Sequence, residues 1–137
     1  MPSWLSPKLE IRKSHIHGLG LFARARIEVG EVCARIEGRV VDDADLDEIV
    51  RRGRPYSGFA LGGGRHVVQD DDDLTRFGNH SCEPTLAFAD ARALVAVETI
   101  EAGAEATVDY APISRRSWTM QCRCGAPSCR GTITGTR

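Results

Sequence analysis

Three cysteines stand within eight residues near the C-terminus, and this cluster constrains the fold more than any other feature of the sequence. They are Cys122, Cys124 and Cys129, with Gly125 and Pro127 between them. Because a glycine and a proline let the backbone turn, three thiolates can converge here on one tetrahedral ion at Zn–S distances of about 2.3 Å. A redox pair or a chance arrangement is the alternative. Zinc would need a fourth ligand from elsewhere in the chain.

Two other cysteines are candidates for that fourth position. Cys82 lies in the turn-rich loop 79–84, from which a side chain can point at a site outside its own strand. Cys33 alternates with its neighbours in an apolar segment, which is typical of a small buried side chain. An odd number of cysteines without a secretory signal fits a disulfide framework badly, since one thiol would be left over. We therefore predict a closed, structural zinc site of four sulfurs. Its ligands are Cys82, Cys122, Cys124 and Cys129.

The length and the charge balance restrict the class of protein. A chain of 137 residues can bury about two-thirds of its unfolded surface, so one domain with its own core is expected. Eighteen basic and nineteen acidic side chains give a net charge of -1. This balance argues against nucleic acid as a direct partner, because phosphate binding needs a surplus of positive charge. Apolar runs too short to cross a membrane, and the absence of signal-peptide features, predict a cytoplasmic protein without membrane contact. The oligomeric state stays open.

Short strands are expected to dominate the secondary structure. Six segments rich in apolar or β-branched residues are separated by Gly, Asp or Pro, a pattern typical of strands. They are residues 21–25, 31–36, 65–69, 85–89, 93–98 and 105–110. The three consecutive glycines 62–64 predict a tight hairpin turn before the strand at 65–69, because glycine accepts a positive φ.

One segment, residues 42–53, carries the signals of a helix instead. Aspartates open it, Leu46, Ile49 and Val50 share one helical face, and arginines precede Gly53. Negative side chains in the first turn and positive ones in the last turn complement the helix dipole. We predict about two helical turns here, inserted between strands.

A glycine turn lies near the N-terminus, at Gly18-Leu19-Gly20. Two glycines one residue apart let the backbone bend sharply and lie close to a ligand. Taken alone, this pattern occurs in many turns between strands. Ala23 occupies the third glycine position of the dinucleotide-binding fingerprint, and no βαβ pattern follows, which argues against a Rossmann cofactor site.

Four blocks of sequence, taken in order, carry a resemblance to a known family. The glycine turn is followed by Asn79-His80-Ser81-Cys82, then by Asp109-Tyr110, and then by the cysteine cluster. Over about residues 15–131 the chain resembles the SET domain family of protein lysine methyltransferases. Little sequence precedes the glycine turn, and sixteen arginines stand against two lysines. It is therefore similar to a minimal, bacterial-type member with a post-SET zinc-binding cysteine cluster.

The resemblance implies a fold and a division of the chain. The expected fold is mainly β, a SET-type arrangement of several short β-sheets with a knot-like core, one short helix insertion and a small C-terminal zinc lobe. Residues 1–137 would form a single domain. Within it, residues 9–111 would be the SET domain and residues 112–137 the post-SET zinc-binding segment, with Cys82 supplied by the SET core.

The resemblance also implies an activity, the transfer of a methyl group from S-adenosylmethionine to a protein lysine ε-amine, with S-adenosylhomocysteine as the product. Tyr110 matches the family's catalytic tyrosine, although an aromatic residue that closes a strand is the plain structural alternative. The implied cofactor-binding residues are His17, Gly18, Leu19, Gly20, Asn79, His80, Tyr110 and Trp118.

Several positions depart from the family's usual pattern. Val108 stands where a phenylalanine is common in the lysine channel, so the number of methyl groups transferred is not predicted. The residues after Cys129 include no aromatic side chain to stack on adenine. Trp118 is expected either to take over that stacking or to anchor the zinc lobe in the core. Tyr56 is a candidate for a second tyrosine of the lysine channel.

The expected partner is a Lys/Arg-rich protein or peptide, for example a histone-like or ribosomal protein. Residues 42–73 carry nine acidic side chains and four arginines, so this region can form one wall of a groove for a basic segment. An extended substrate would bind beside a strand by β-augmentation. The alternative function is a non-catalytic SET-like peptide-binding module that retains the fold and the zinc.

Overall fold

The computed structural model describes residues 2–137. Short strands make up most of the regular structure, and the described residues contain one α-helix, α1, at Asp43–Arg51. Two short 3-10 helices lie at Leu74–Phe77 and Ala111–Ile113. The strands are β1 Trp4–Leu5, β2 Leu9–Lys13, β3 Leu19–Ala23, β4 Val32–Arg35, β5 Arg39–Asp42, β6 Ser57–Gly62, β7 Arg65–Gln69, β8 Asn79–His80, β9 Leu86–Phe88, β10 Ala93–Ala96, β11 Glu105–Val108, β12 Thr119–Gln121 and β13 Thr132–Thr134. The expected mainly β fold with one short helix is confirmed.

The strands form three sheets. Seven strands follow one another in the order β1-β4-β10-β9-β11-β3-β2, and β8 joins this large sheet by parallel pairing with β11. A three-stranded sheet has the order β5-β7-β6, and β12 pairs with β13 in a separate two-stranded sheet. The knot-like threading of the core stays a prediction, as do the boundaries between residues 9–111 and 112–137.

The core lies between the large sheet and the three-stranded sheet. Leu21, Val67, Leu86 and Ala106 are almost completely buried in it, and each belongs to a different strand. Burying a leucine or valine side chain contributes about 1.5–3 kcal/mol. The apolar segments that predicted strands therefore also supply the core.

The hairpin and the helix form where their sequence signals predict them. Gly62, Gly63 and Gly64 all adopt a positive φ between β6 and β7. At the start of α1 the Asp42 side chain accepts a hydrogen bond from the backbone N–H of Asp45 over 2.8 Å, which caps the helix. Leu46 points inward and is buried, so it anchors α1 against the neighbouring sheet.

The predicted strand 105–110 is two residues too long. β11 ends at Val108, because the Asp109 carboxylate accepts the backbone N–H of Ala111 over 3.0 Å and turns the chain. Tyr110 then stands at the start of the second 3-10 helix instead of closing a strand. Seven of the strands were not predicted from the sequence, namely β1, β2, β5, β6, β8, β12 and β13.

A backbone hydrogen bond fixes the C-terminal lobe, residues 112–137, to the rest of the chain. The N–H of Thr136 donates to the Ala111 carbonyl over 2.9 Å, and inside the lobe the N–H of Gly135 donates to the Trp118 carbonyl over 2.9 Å. Ile133 of β13 is buried in a small apolar cluster together with the cysteines of the lobe. Nowhere in residues 2–137 does a helix reach the length and hydrophobicity needed to span a membrane.

Candidate functional site

Four cysteine sulfurs converge at the junction between the large sheet and the C-terminal lobe. The Sγ atoms of Cys82, Cys122, Cys124 and Cys129 all lie within 4.8 Å of one another. The Cys82 and Cys122 sulfurs are 3.8 Å apart. A regular tetrahedron with Zn–S distances of about 2.3 Å has edges of about 3.8 Å, so the four sulfurs fit one tetrahedral zinc ion. The structure thus brings together the four residues that the sequence predicted as ligands.

The thiols of this cluster differ in their pKa. Burial raises the pKa of Cys122 to about 12. Burial also acts on Cys124, but hydrogen bonds from the backbone N–H groups near it outweigh that effect and lower its pKa to about 6. The Cys124 thiol is therefore largely ionised at neutral pH, whereas Cys122 keeps its proton until a bound cation displaces it. Cys33 lies apart in β4, almost completely buried, as predicted, and burial raises its pKa to about 11.

Cys82 Sγ also receives contacts from groups that are not cluster ligands. The backbone N–H and the side-chain Nε–H of Arg130 lie 3.3 and 3.4 Å from this sulfur. His80 Nε2 lies 3.4 Å from it. N–H donors of this kind stabilise the negative charge of a metal-bound thiolate and fix its orientation.

His80 uses both ring nitrogens inside the protein. Its Nδ1 accepts a hydrogen bond from the backbone N–H of Tyr110 over 3.0 Å, so the proton of the neutral ring is on Nε2, facing Cys82. Burial lowers the pKa of His80, the Arg130 cation lowers it further, and Asp109 opposes both. The ring is therefore held neutral. The prediction that His80 binds cofactor stays a prediction, and it would rest on the His80 backbone.

Tyr110 is fixed at both its backbone and its hydroxyl. The hydroxyl donates a hydrogen bond to the Gly78 carbonyl over 2.5 Å, and the ring packs edge-on against Trp118 with centroids 6.1 Å apart. Burial, with a smaller contribution from the Glu105 charge, raises the pKa of Tyr110 to about 12. The phenol is therefore protonated at physiological pH and acts as a hydrogen-bonding group, not as a base.

The glycine turn is held in place by one amide. Asn79 Nδ2 donates to the carbonyl oxygens of His17 and Leu19, each over 3.0 Å, and to Glu105 Oε2 over 2.8 Å. Asn79 is buried, whereas the Leu19 side chain is exposed. Five of the predicted cofactor residues thus lie together: His17, Gly18, Leu19, Gly20 and Asn79. The N–H groups of the Asn79 amide already donate to the turn and to Glu105.

The two glycines of the turn have different reasons to be glycine. Gly18 has a φ of +44°, and a Cβ built on it would meet no atom within 4 Å. A Cβ on Gly20 would overlap Glu105 Oε2, so Gly20 makes room for a neighbouring side chain. The prediction of close approach to a ligand therefore suits Gly18, whose outer face is open.

Glu105 and Ser14 complete this region, and neither was among the site residues predicted from the sequence. Ser14 Oγ donates to Glu105 Oε1 over 2.7 Å and accepts the backbone N–H of Ile16 over 2.9 Å. The two residues are separated by 91 positions. A carboxylate at the start of the strand that leads to Asp109-Tyr110 was the only signal available.

A cavity of about 500 Å³ is lined in part by Tyr110 and Gly78. Its apolar lining includes Val108 and the rings of Phe59 and Phe88, which pack with centroids 4.8 Å apart. Tyr56 also lines this cavity. Trp118 also lines the cavity, and it packs against the apolar cluster of the lobe. Anchoring the lobe was one of the two roles expected for Trp118. Stacking of Trp118 on adenine stays a prediction.

An ion pair lies at one side of the cavity. Arg115 Nη1 lies 2.7 Å from Asp47 Oδ1, and Arg115 lines the cavity. This pair connects α1 to the C-terminal lobe. Leu46 and Val50 of the same helix contribute to the cavity wall, so the helix insertion and the lobe together enclose the space in front of Tyr110.

Residues 18–111 match the SET domain family. The chain belongs to the SET domain family. The matched segment contains the glycine turn, the Asn79-His80 pair and Tyr110, and it ends where the second 3-10 helix begins.

Curated relatives of this SET domain are much longer proteins. Histone-lysine N-methyltransferase TRX1 of Oryza sativa subsp. japonica is 32% identical over 143 residues, which cover 92% of this chain and 14% of that protein. Histone-lysine N-methyltransferase 2B of Homo sapiens is 32% identical over 136 residues, which cover 88% of this chain and 5% of that protein. This SET domain therefore spans a small part of the length of these relatives.

A solved structure shares the fold of this SET domain. The methyltransferase domain of human Histone-lysine N-methyltransferase SETMAR aligns with a TM-score of 0.74 at 21% identity. The alignment covers 96% of this chain and 59% of that one. The arrangement of sheets around Tyr110 is thus a SET fold.

Proposed function

We propose that this SET domain transfers a methyl group from S-adenosylmethionine to the ε-amine of a lysine in a protein. One arrangement carries the proposal. The Tyr110 hydroxyl donates a hydrogen bond to the Gly78 carbonyl at the edge of the apolar cavity. Asn79, which follows Gly78 in the chain, holds the Gly18-Leu19-Gly20 turn. A cavity for an amine and a turn for a cofactor are thus connected through Tyr110, Gly78 and Asn79.

The cavity side suits a lysine that must be neutral to react. A lysine amine has an ordinary pKa of about 10.4, and removal from water disfavours its charged form. Val108 and Phe88 provide the apolar surroundings. The Tyr110 hydroxyl oxygen, whose own proton goes to the Gly78 carbonyl, can accept an N–H of the neutral amine and so direct its lone pair toward the methyl group. The chain's own contribution to catalysis is therefore desolvation and alignment.

The turn side suits a small cationic co-substrate. When bound, S-adenosylmethionine supplies a methyl group on a positively charged sulfur, which the amine can displace in line. Gly18 leaves open space in front of the turn, and Glu105 places a negative charge next to it. Backbone groups of the turn would hold the co-substrate, and the carboxylate would favour its positive charge.

The proposed substrate is a Lys/Arg-rich segment of a protein, such as a histone-like or ribosomal protein. The two relatives with longer chains are named histone-lysine methyltransferases. Strand β6 lies at the edge of its three-stranded sheet, and Gly58 and Phe59 of this strand line the cavity. An extended peptide can pair with that edge and extend one lysine side chain into the cavity toward Tyr110.

Zinc is the proposed ion of the four-cysteine cluster, and its role is structural. Four sulfur ligands leave no open coordination position, so the ion would shape the lobe and take no part in the reaction. The proposed location is the cytoplasm, which fractionation of the source cells would test.

The experiment combines cofactor binding with product analysis. The zinc-loaded chain is titrated with S-adenosylmethionine and S-adenosylhomocysteine by calorimetry, and is then incubated with Lys/Arg-rich peptides and with copies in which every lysine is arginine. We expect binding of both compounds and mass increments of one methylene on the lysine peptides alone. Peptide binding without any mass increment would instead identify the non-catalytic peptide-binding module. Absence of cofactor binding would overturn the proposal.

A further inference from the structure

Arg130 occupies a position between the cysteine cluster and the residue before the candidate catalytic tyrosine. Its backbone N–H and Nε–H lie 3.3 and 3.4 Å from Cys82 Sγ, and its Nη2 lies 2.8 Å from Asp109 Oδ1. One side chain therefore contacts a ligand of the cluster and a carboxylate of the site at the same time.

The contact with the cluster has an electrostatic reason. Four thiolates around one divalent ion carry a net charge of about -2, and N–H donors that face a ligating sulfur stabilise this charge. Arg130 brings a full positive charge to Cys82. A guanidinium is charged at any relevant pH, so Arg130 presents this charge to Cys82 permanently.

The contact with Asp109 reaches Tyr110. Asp109 Oδ1 accepts both Arg130 Nη2 and the backbone N–H of Ala111. These two bonds fix the turn in which Tyr110 stands, next to the His80 contact with the Tyr110 N–H, since His80 Nδ1 lies 3.7 Å from Asp109 Oδ1. Loss of the Arg130 guanidinium would leave the Asp109 carboxylate free to rotate and would loosen that turn.

We propose that Arg130 is a positioning residue that couples the metal cluster to Tyr110 through Cys82 and Asp109. The expected effect of Arg130 on kcat rests on the proposed methyl transfer. Its expected effect on zinc affinity rests on the four-cysteine site. Arg130 itself touches neither the cavity nor the glycine turn among the contacts of residues 2–137. Its effect on the reaction passes through Tyr110.

The first arm of the test measures the metal and needs no activity. R130Q removes the guanidinium but keeps the backbone N–H, and R123Q is the matched control, because Arg123 is exposed and makes no hydrogen bond or ion pair within residues 2–137. Zinc affinity is measured by competition with a chromophoric chelator, 4-(2-pyridylazo)resorcinol. The sulfur-to-cobalt charge-transfer band is recorded on the Co²⁺-substituted protein. We expect R130Q to lower zinc affinity about tenfold and to shift the band, and R123Q to change neither.

The second arm is a double-mutant cycle on methyl transfer. We expect R130Q to lower kcat about tenfold while the KM for S-adenosylmethionine changes less than about twofold, as for loss of an interaction that acts on the reacting geometry. In the Y110F background the same substitution should lower kcat by less than about twofold, because its target is already gone. R130K keeps the charge but not the planar fork, so it should recover part of the zinc affinity and of kcat.

Each outcome decides one part of the proposal. Equal zinc affinity and equal cobalt spectra in R130Q and R123Q would overturn it, whatever the wild-type activity. An equal loss of kcat from R130Q in the wild-type and Y110F backgrounds would show a general structural role and would also overturn it. A metal effect in a chain that transfers no methyl group would refute both the proposed function and the coupling to Tyr110.

Discussion

The Tyr110 hydroxyl donates a hydrogen bond to the Gly78 carbonyl over 2.5 Å, across 32 positions of the chain. Gly78 precedes Asn79, whose amide holds the glycine turn. The bond thus connects the start of the second 3-10 helix with the segment that positions the glycine turn. Because the half-buried phenol has a raised pKa and stays protonated, its geometry depends on the fold and not on pH over the physiological range.

Replacement of Tyr110 by phenylalanine tests this bond. Y110F removes the hydroxyl and leaves the Gly78 carbonyl without its donor, which should lower the free energy of unfolding by about 1–3 kcal/mol in urea denaturation. Methyl transfer should fall about 100-fold or more, while S-adenosylmethionine binding measured by calorimetry should change little. A variant that keeps wild-type kcat would show that the hydroxyl has no part in alignment.

The raised pKa of Tyr110 predicts a loss of stability at alkaline pH. An unfolded tyrosine titrates near pH 10, whereas the pKa of Tyr110 in the folded chain is about 12. Below about pH 10 both states keep the proton. Above it the unfolded state loses its proton first, so the free energy of unfolding falls as the pH rises toward 12, by up to roughly 2 kcal/mol.

Comparison with Y110F isolates this effect, because Cys33 also has a raised pKa and acts in the same direction. Urea denaturation between pH 8 and about pH 11.5 should show a shallower decline in Y110F than in the wild type. Parallel curves for the two proteins would refute the assignment of the shifted pKa to Tyr110.

Much of the fold could be predicted from local patterns, and the exceptions have physical reasons. The glycines 62–64 and the charged ends of α1 encode a hairpin and a helix within a few residues. Strand β8 could not be found in this way, because Asn79 and His80 are polar and become a strand only by pairing with β11. Tyr110 left the predicted strand because the Asp109 side chain competes for a backbone N–H.

The same distinction holds for the site. The spacing of Cys122, Cys124 and Cys129 was enough to predict that they share one metal ion, because ligands within one turn are close in sequence. Glu105 and Arg130 act through contacts with Ser14 and Cys82, which lie 91 and 48 positions away. Such contacts depend on the completed fold, so no periodicity or motif in the sequence marks them.

The contact of Gly20 with Glu105 predicts a specific coupling between the two residues. G20A places a methyl group against Glu105 Oε2 and must displace a carboxylate held by Ser14 and Asn79. In the E105A background this overlap is gone, so the cost of G20A in free energy of unfolding should fall to about half or less, measured by urea denaturation. G18A is the control, because its cost of about 1–2 kcal/mol comes from its positive φ and should be the same in both backgrounds.

The cysteine cluster predicts one zinc ion per chain. C124S should lower zinc affinity by about tenfold or more, since a hydroxyl is a much poorer zinc ligand than a thiolate. C33A should keep the full zinc content and lose about 1 kcal/mol of stability from the small cavity it leaves. Metal content is measured by atomic emission after dialysis against a chelator. Equal zinc retention by C124S and the wild type would contradict the assignment.

The ion pair between Arg115 and Asp47 predicts an effect on substrate binding that exceeds its effect on stability. The Asp47 side chain is 67% exposed and that of Arg115 is 22% exposed, so the pair should contribute less than about 1 kcal/mol to folding. It nevertheless connects α1 to the C-terminal lobe across the cavity. D47N should therefore raise the KM for peptide several-fold without changing kcat, because the cavity wall is less well ordered before the peptide binds.

Salt and a neighbouring residue give the controls for this last prediction. Asp45 is exposed on the same helix and pairs with no cation in the structure of residues 2–137. If net charge controls peptide binding, D45N should raise the KM for peptide as much as D47N does. If the ion pair controls it, D45N should resemble the wild type. High salt should then raise the wild-type KM toward that of D47N, because ions screen an exposed pair, and it should affect D47N less.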